Sequence, residues 1–211
     1  MKQIAQMVIL LICSFRAFSS PVTDTTFFSI KDYGAKGDGR TDDQQPILRC
    51  LNAACAHSGI VVVKIPYATY VVQGSLKVSL TTPQRLIIRG YSSNGKQPLI
   101  KTSAFITLLD ISSPLSSPNG KVTVEGLALQ GNNMPFSSQH PYFDKGSFVS
   151  GIRISNMAEA AVLHNQISNF YGEGIYVGYT NAGTSKPPHR FSHIEIDYND
   201  VINCWGLHPT K

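Results

Sequence analysis

Three motifs recur at fixed offsets along this chain, and that self-similarity restricts the fold more than any composition figure does. Leu86-Ile87-Ile88-Arg89-Gly90 returns as Val122-Thr123-Val124-Glu125-Gly126, and Gly95 returns as Gly131, both 36 residues on. Gly151-Ile152-Arg153-Ile154 returns after 23 residues as Gly174-Ile175-Tyr176-Val177. His164-Asn165-Gln166-Ile167-Ser168-Asn169 returns after 34 as Tyr198-Asn199-Asp200-Val201-Ile202-Asn203. Fixed-period similarity of this kind marks a solenoid, in which each unit buries its apolar face only against its neighbours. The unit is about two dozen residues, and the longer offsets hold extra sequence that bulges out as loops.

The runs that recur are short and rich in β-branched or large apolar residues: Ile60–Ile65, Tyr70–Val72, Leu86–Ile88, Ile106–Ile111, Val122–Val124, Leu127–Leu129, Ile152–Ile154, Ala161–Leu163, Ile175–Val177 and Ile194–Ile196. Each reads as a strand. Proline-bearing loops are expected at about 112–119, 134–147 and 179–190, and in a solenoid such insertions commonly build the binding face. Asn165 and Asn199 are expected to stack at equivalent turns, where Asn tolerates left-handed backbone and bridges coils through its amide. Asn169 and Asn203 are expected to form a second ladder.

One helix is expected, over about 43–56. Ile47, Leu48, Leu51, Ala54 and Cys55 fall at helical spacing. Thr41 and Asp42 are placed to cap it, Asp43 falls in its first turn, and Pro46 comes early enough to be tolerated. Before it, Gly34, Gly37 and Gly39 supply turn backbone. The sequence Tyr33-Gly34-Ala35-Lys36-Gly37-Asp38-Gly39, followed by Thr41-Asp42-Asp43, resembles the N-terminal signature of the pectate-lyase-like superfamily, which includes polygalacturonases, rhamnogalacturonase-like and epimerase-like proteins and phage tailspikes. Gly59-Ile60-Val61-Val62-Val63-Lys64-Ile65-Pro66-Tyr67-Ala68-Thr69-Tyr70 resembles the first full coil of that group. The resemblance implies an all-β, single-stranded right-handed parallel β-helix over 21–211. A helix would cap its N-terminal end, and its C-terminal end would be open or truncated, inviting association with a second copy. The signature residues Tyr33, Gly34, Gly37, Asp38, Gly39, Asp42 and Asp43 read as structural.

Residues 1–20 read as a secretory signal, with Lys2 ahead of the apolar run Met7–Cys13 and a small-x-small site at Ala17 and Ser19. An extracellular or periplasmic location is expected, with no membrane span. Of 18 Lys and Arg, removal of Lys2 and Arg16 leaves 16 against 13 Asp and Glu, a net charge of +3. That suits an anionic glycan and is too slight for nucleic acid. Cys50, Cys55 and Cys204 form neither a disulfide framework nor a zinc spacing, so no metal site is read from the cysteines.

The resemblance implies action on acidic polysaccharide, a polyuronate, by lyase or hydrolase chemistry. Strand alternation turns His193, Glu195 and Asp197 outward, with Asp200 in the following turn. Paired carboxylates serve glycoside hydrolysis, one as acid and one to activate water. Lyases of the group use carboxylates with calcium, or a basic side chain that takes the ring proton, a role open to Arg153. No other cofactor is evident. Glu173, Tyr176 and Arg153 are candidate substrate-binding residues, and a glycan is expected to cross Tyr176, His193, Glu195 and Asp197. Neither the Asn-Thr-Asp nor the Gly-His-Gly motif of polygalacturonases occurs in the chain, so no catalytic residue is transferred from that family. The alternatives are a non-catalytic glycan-binding or tailspike-like scaffold, or an inactive fragment of a longer enzyme.

Overall fold

The computed structural model describes residues 24–81, 84–114, 120–132, 149–179 and 191–204. The expected signal segment, most of the three expected loops, and His140, Tyr142, Phe143, His189, Trp205 and His208 lie outside them. The chain winds so that each complete turn of the winding gives one strand to each of three sheets. It begins with β1 (Thr25–Ser29), a 3-10 turn over Ile30–Tyr33, β2 (Asp38–Asp42) and the helix α1 (Gln44–Cys55). The next coil is β3 (Gly59–Pro66), β4 (Thr69–Val71) and β5 (Leu76–Ser79). It is followed by β6 (Gln84–Tyr91), β7 (Leu99–Lys101) and β8 (Leu109–Ser112), then β9 (Lys121–Glu125), β10 (Ala128–Gln130) and β11 (Ile152–Ser155). The last are β12 (Glu159–Leu163), β13 (Gln166–Ser168) and β14 (Ile175–Gly178), then β15 (His193–Asp197) and β16 (Asp200–Ile202).

Sheet A runs β1-β3-β6-β9-β12-β15, sheet B runs β2-β4-β7-β10-β13-β16, and sheet C runs β5-β8-β11-β14. The pairing is parallel throughout these sheets, and the sequence repeats are its rungs. Leu86 pairs with Val122, Ile152 with Ile175, and Gln166 with Asp200, which are the offsets 36, 23 and 34. Parallel connections of this kind are right-handed because twisted strands return to their sheet only that way.

Alternation sends one residue in two to the axis. In sheet A the inward columns Val61–Leu86–Val122–Ala160 and Val63–Ile88–Val124–Val162 are buried, as are Leu76, Leu109 and Ile152 in sheet C and Tyr70, Ile100, Leu129 and Ile167 in sheet B. Each fully buried Val, Leu or Ile contributes about 1.5–3 kcal/mol, so the stack is held by its own rungs. Phe170 is part of this core. In α1, Ile47, Cys50, Leu51, Ala54 and Cys55 are buried, and the helix packs on β3, β5 and the 3-10 turn.

The approach to α1 differs from the expectation in one respect. Asp43 lies before the helix, fully buried, and its carboxylate accepts from the backbone N–H groups of Lys36 at 2.5 Å and Gly37 at 2.9 Å. Asp42 accepts from Gln44 N–H at 3.0 Å, while Thr41 donates its hydroxyl to Asp38 at 2.7 Å instead of capping the helix. Gly34, Gly37 and Gly39 all have positive φ. The signature residues thus tie the glycine loop to the helix start.

Each late crossing from sheet A to sheet B takes two residues, the first with positive φ: Gly126, His164 and Tyr198. Left-handed backbone therefore falls on His164 and Tyr198, not on the neighbouring Asn165 and Asn199 as expected. The asparagines instead point into the stack. Asn165 Oδ1 accepts from Leu127 N–H at 3.0 Å, and its Nδ2 donates to Val124 O and Asn199 Oδ1, both at 3.0 Å. Asn169 and Asn203 do have positive φ, and Asn203 Nδ2 donates to Asn169 Oδ1 at 2.8 Å. In the last described coil Ile194, Ile196, Val201 and Ile202 are exposed.

Candidate functional site

Sheet C differs from the other two in how the chain enters and leaves it. The two-residue crossings all join A to B. The long connections, residues 131–151 from β10 to β11 and 179–192 from β14 to β15, both border sheet C. Beside a serine column Ser79–Ser112–Ser155, its outward face carries the column Lys77–Asp110–Arg153–Tyr176, set by the register of β5, β8, β11 and β14.

The centre of that column is an ion pair. Arg153 donates from Nε to Asp110 Oδ1 at 3.0 Å and from Nη2 to Asp110 Oδ2 at 2.6 Å, the two-pronged geometry that a guanidinium and a carboxylate share. Asp110 is only 5% exposed. The Asp110 carboxylate raises the Arg153 pKa above the ordinary arginine value, with Tyr176 and Glu173 near enough to add to it. The pair with Asp110 therefore favours the cationic form of Arg153. Glu173, at the corner before β14, accepts from the buried Ser150 hydroxyl at 3.3 Å. Tyr176 donates its hydroxyl to Tyr179 O at 3.2 Å, which lays the ring along its own strand. The strands place Arg153 and Tyr176 on adjacent rungs with Glu173 at the corner before β14, and add Asp110, Lys77 and Ser150.

The other candidates lie elsewhere. His193 and Glu195 face outward from β15 in sheet A, beside Arg85, Lys121 and Glu159 in a depression of about 370 Å³. Lys121 donates to Glu159 at 2.6 Å and lowers the Glu159 pKa, with Arg85 at 3.2 Å and His193 adding smaller effects. His193 and Glu195 approach to 3.8 Å. Asp197 ends β15, where its Oδ1 accepts from Tyr198 N–H at 2.9 Å, and Asp200 opens β16 in sheet B, not a turn. Tyr176 and the β15 residues therefore belong to different sheets. A single glycan laid across Tyr176, His193, Glu195 and Asp197 is not what this arrangement offers, because the corner from sheet C to sheet A divides them.

Calcium requires six to eight oxygen ligands. Both Asp110 oxygens are engaged by Arg153, and among the described residues no group of three or more His, Cys, Asp and Glu side chains converges. The described residues of sheet C do not form a calcium cage. Among the described residues no helix is long and apolar enough to cross a membrane.

Stacked parallel rungs, a capping helix and a polar column on the face bordered by long connections define a pectate-lyase-like parallel β-helix protein. Residues 27–186 match the rhamnogalacturonase A/epimerase, pectate lyase-like family, and the chain belongs to it. That match takes in sheet C completely and stops before β15. A 49-residue stretch is 47% identical to the non-secreted LysM effector LysM19 of Penicillium expansum, covering 23% of this chain and 4% of that protein. Among solved structures, ORF18 of Geobacillus virus E2 aligns with 84% of this chain and 36% of its own, at 16% identity and a TM-score of 0.46. The surface adhesin PfbA of Streptococcus pneumoniae aligns with 83% of this chain and 63% of its own, at 15% identity and a TM-score of 0.33. The A-module of the mannuronan C-5 epimerase AlgE6 of Azotobacter vinelandii aligns with 73% of this chain and 49% of its own, at 18% identity and a TM-score of 0.32. The chain spans less than two thirds of the length of each of these proteins.

Proposed function

We propose that this chain is an exported protein that binds acidic polysaccharide along sheet C and cleaves it by elimination. The observation that carries the reading is the Arg153 fork, held cationic by Asp110 and close to both Glu173 and Tyr176. A uronate carboxylate drawn to that cation loses the negative charge that otherwise protects its α-proton. Glu173 takes that proton, the electron pair forms a carbon–carbon double bond, and the bond to the glycosidic oxygen on the β-carbon breaks. The departing oxygen takes a proton from solvent. Charge stabilisation of this sort is commonly the largest single contribution to such a step, and proton transfer adds about 10²–10⁴-fold. The apolar run at Met7–Cys13 supports export.

Purified protein and polygalacturonate test it. Unsaturated oligosaccharides are expected in the presence of a chelator, with Glu173→Gln lowering kcat by about 100-fold or more and leaving binding in place. Saturated reducing ends would replace elimination by hydrolysis. A second reading, glycan binding without turnover, is favoured by Asp110 filling both prongs of Arg153. Binding that Arg153→Ala abolishes, with no product of either kind, would establish it.

A further inference from the structure

A second groove, on sheet B, has the composition of a carbohydrate site and shares no residue with sheet C. It encloses about 400 Å³, inside the range of small-ligand pockets. Its floor is made of the outward residues Leu99 and Ala128, small enough to leave a trough. Tyr67, 47% exposed, stands at one end beside Thr69, and Gln166 and Ser168 stand at the other.

The wall is a tight hairpin at the corner between sheets A and B. Ser93 and Lys96 exchange backbone hydrogen bonds at 3.0 and 2.9 Å, with Asn94 and Gly95 both at positive φ, the geometry of a two-residue hairpin turn. Gln97 pins that hairpin across the sheet by donating Nε2 to His164 O at 2.6 Å. The groove is thus set before any ligand arrives. An exposed aromatic face opposite amides and hydroxyls, over a small apolar floor, is what a pyranose ring requires: stacking for its C–H face and hydrogen bonds for its hydroxyls. Among the described residues of the lining Lys96 is the only charged one, a cation that can meet the carboxylate of an acidic sugar without excluding a neutral one.

We propose that this groove binds a short stretch of pyranose chain, as a site separate from sheet C. The proposal does not depend on the reading of sheet C. The test is a titration of isotopically labelled full-length protein with trigalacturonate and, separately, maltotriose, followed by amide NMR. Saturable shifts at Gly95, Lys96 and Gln166 are expected with at least one trisaccharide. Tyr67→Ala should weaken that binding by roughly tenfold, Gln166→Ala should weaken it as well, and Arg153→Ala should leave it unchanged. Both Tyr67 and Gln166 are exposed, so each variant should fold with the wild-type melting temperature. If neither sugar moves those amides, or if neither variant weakens the shifts that occur, the proposal fails. Loss of the sheet C response in Arg153→Ala, with the sheet B response intact, would separate the two sites.

Discussion

The His164 ring lies flat on the Tyr198 ring, with centroids 4.8 Å apart and 5° between planes. The two residues occupy the same left-handed corner in successive coils, at φ 55° and 54°. Left-handed backbone costs an ordinary residue about 1–2 kcal/mol, and the stacked pair recovers part of that. The earlier coil places Gly126 at this corner and has no ring to lose. His164→Gly should therefore leave stability within about 1 kcal/mol of wild type, relief of strain offsetting the lost stack. His164→Val, β-branched at the same φ, should cost about 2 kcal/mol. Urea unfolding of the two variants checks the order, and equal losses would mean that the corner is not strained.

One step inward, the asparagines carry a larger share of the coil-to-coil adhesion. Asn165 is buried and serves Leu127 N–H, Val124 O and Asn199. Asn199 accepts from Asn165 through Oδ1 and donates to Val162 O at 2.7 Å, but lies in the last described coil. Asn165→Ala leaves a buried N–H and a buried carbonyl without partners and should cost about 2–4 kcal/mol. Asn199→Ala, less buried, should cost about 1 kcal/mol. Chemical denaturation that ranks Asn199 above Asn165 would contradict this account.

Most of the stacking was legible in the chain because glycine and asparagine mark corners, and corners repeat at the coil period. Gly90 illustrates why: a Cβ there would overlap the Gly126 carbonyl, its neighbour one rung away. The strands β4, β7, β10, β13 and β16 have three residues each, too few for alternation to declare itself, and β7, β13 and β16 are absent from the expected strand runs. The strand expected from Ile106 begins only at Leu109, because residues 103–106 bend before the sheet is reached. The candidate site was legible only in part. Asp110 sits in an apolar run, 43 residues from the Arg153 it binds, and only the register of β8 on β11 joins them. Sheet membership was also hidden, since alternation tells inward from outward but not which of three faces is outward. That is why Tyr176 and Glu195 read as neighbours.

Acid stability should carry the mark of Asp38. Its carboxylate accepts from the N–H of Thr41, the largest effect, from the Thr41 hydroxyl and from Arg40 N–H, and these hold its pKa down at about 2. Because the folded value lies below the ordinary 3.8, the ionised carboxylate contributes stability above about pH 4, and that contribution fades as pH falls toward 2. Asp38→Asn should remove this component, giving a shallower loss between pH 4 and 2. Thermal melts at closely spaced pH values measure it, and parallel curves for variant and wild type would rule it out.

The Arg153–Asp110 pair can be divided into a structural and a functional part. Asp110 is 5% exposed, while the Arg153 side chain is 36% exposed. Arg153→Met therefore strands a buried carboxylate and should cost about 2–3 kcal/mol, whereas Asp110→Asn leaves a guanidinium that water reaches and should cost under about 1 kcal/mol. Combining the two removes the stranded charge, so the double variant should be more stable than Arg153→Met alone. Polyuronate turnover supplies the second axis. If Arg153 serves only to neutralise the buried Asp110 carboxylate, the repaired double variant regains activity along with stability. If its cation meets the substrate carboxylate, stability returns and activity does not, and that split is the expected result.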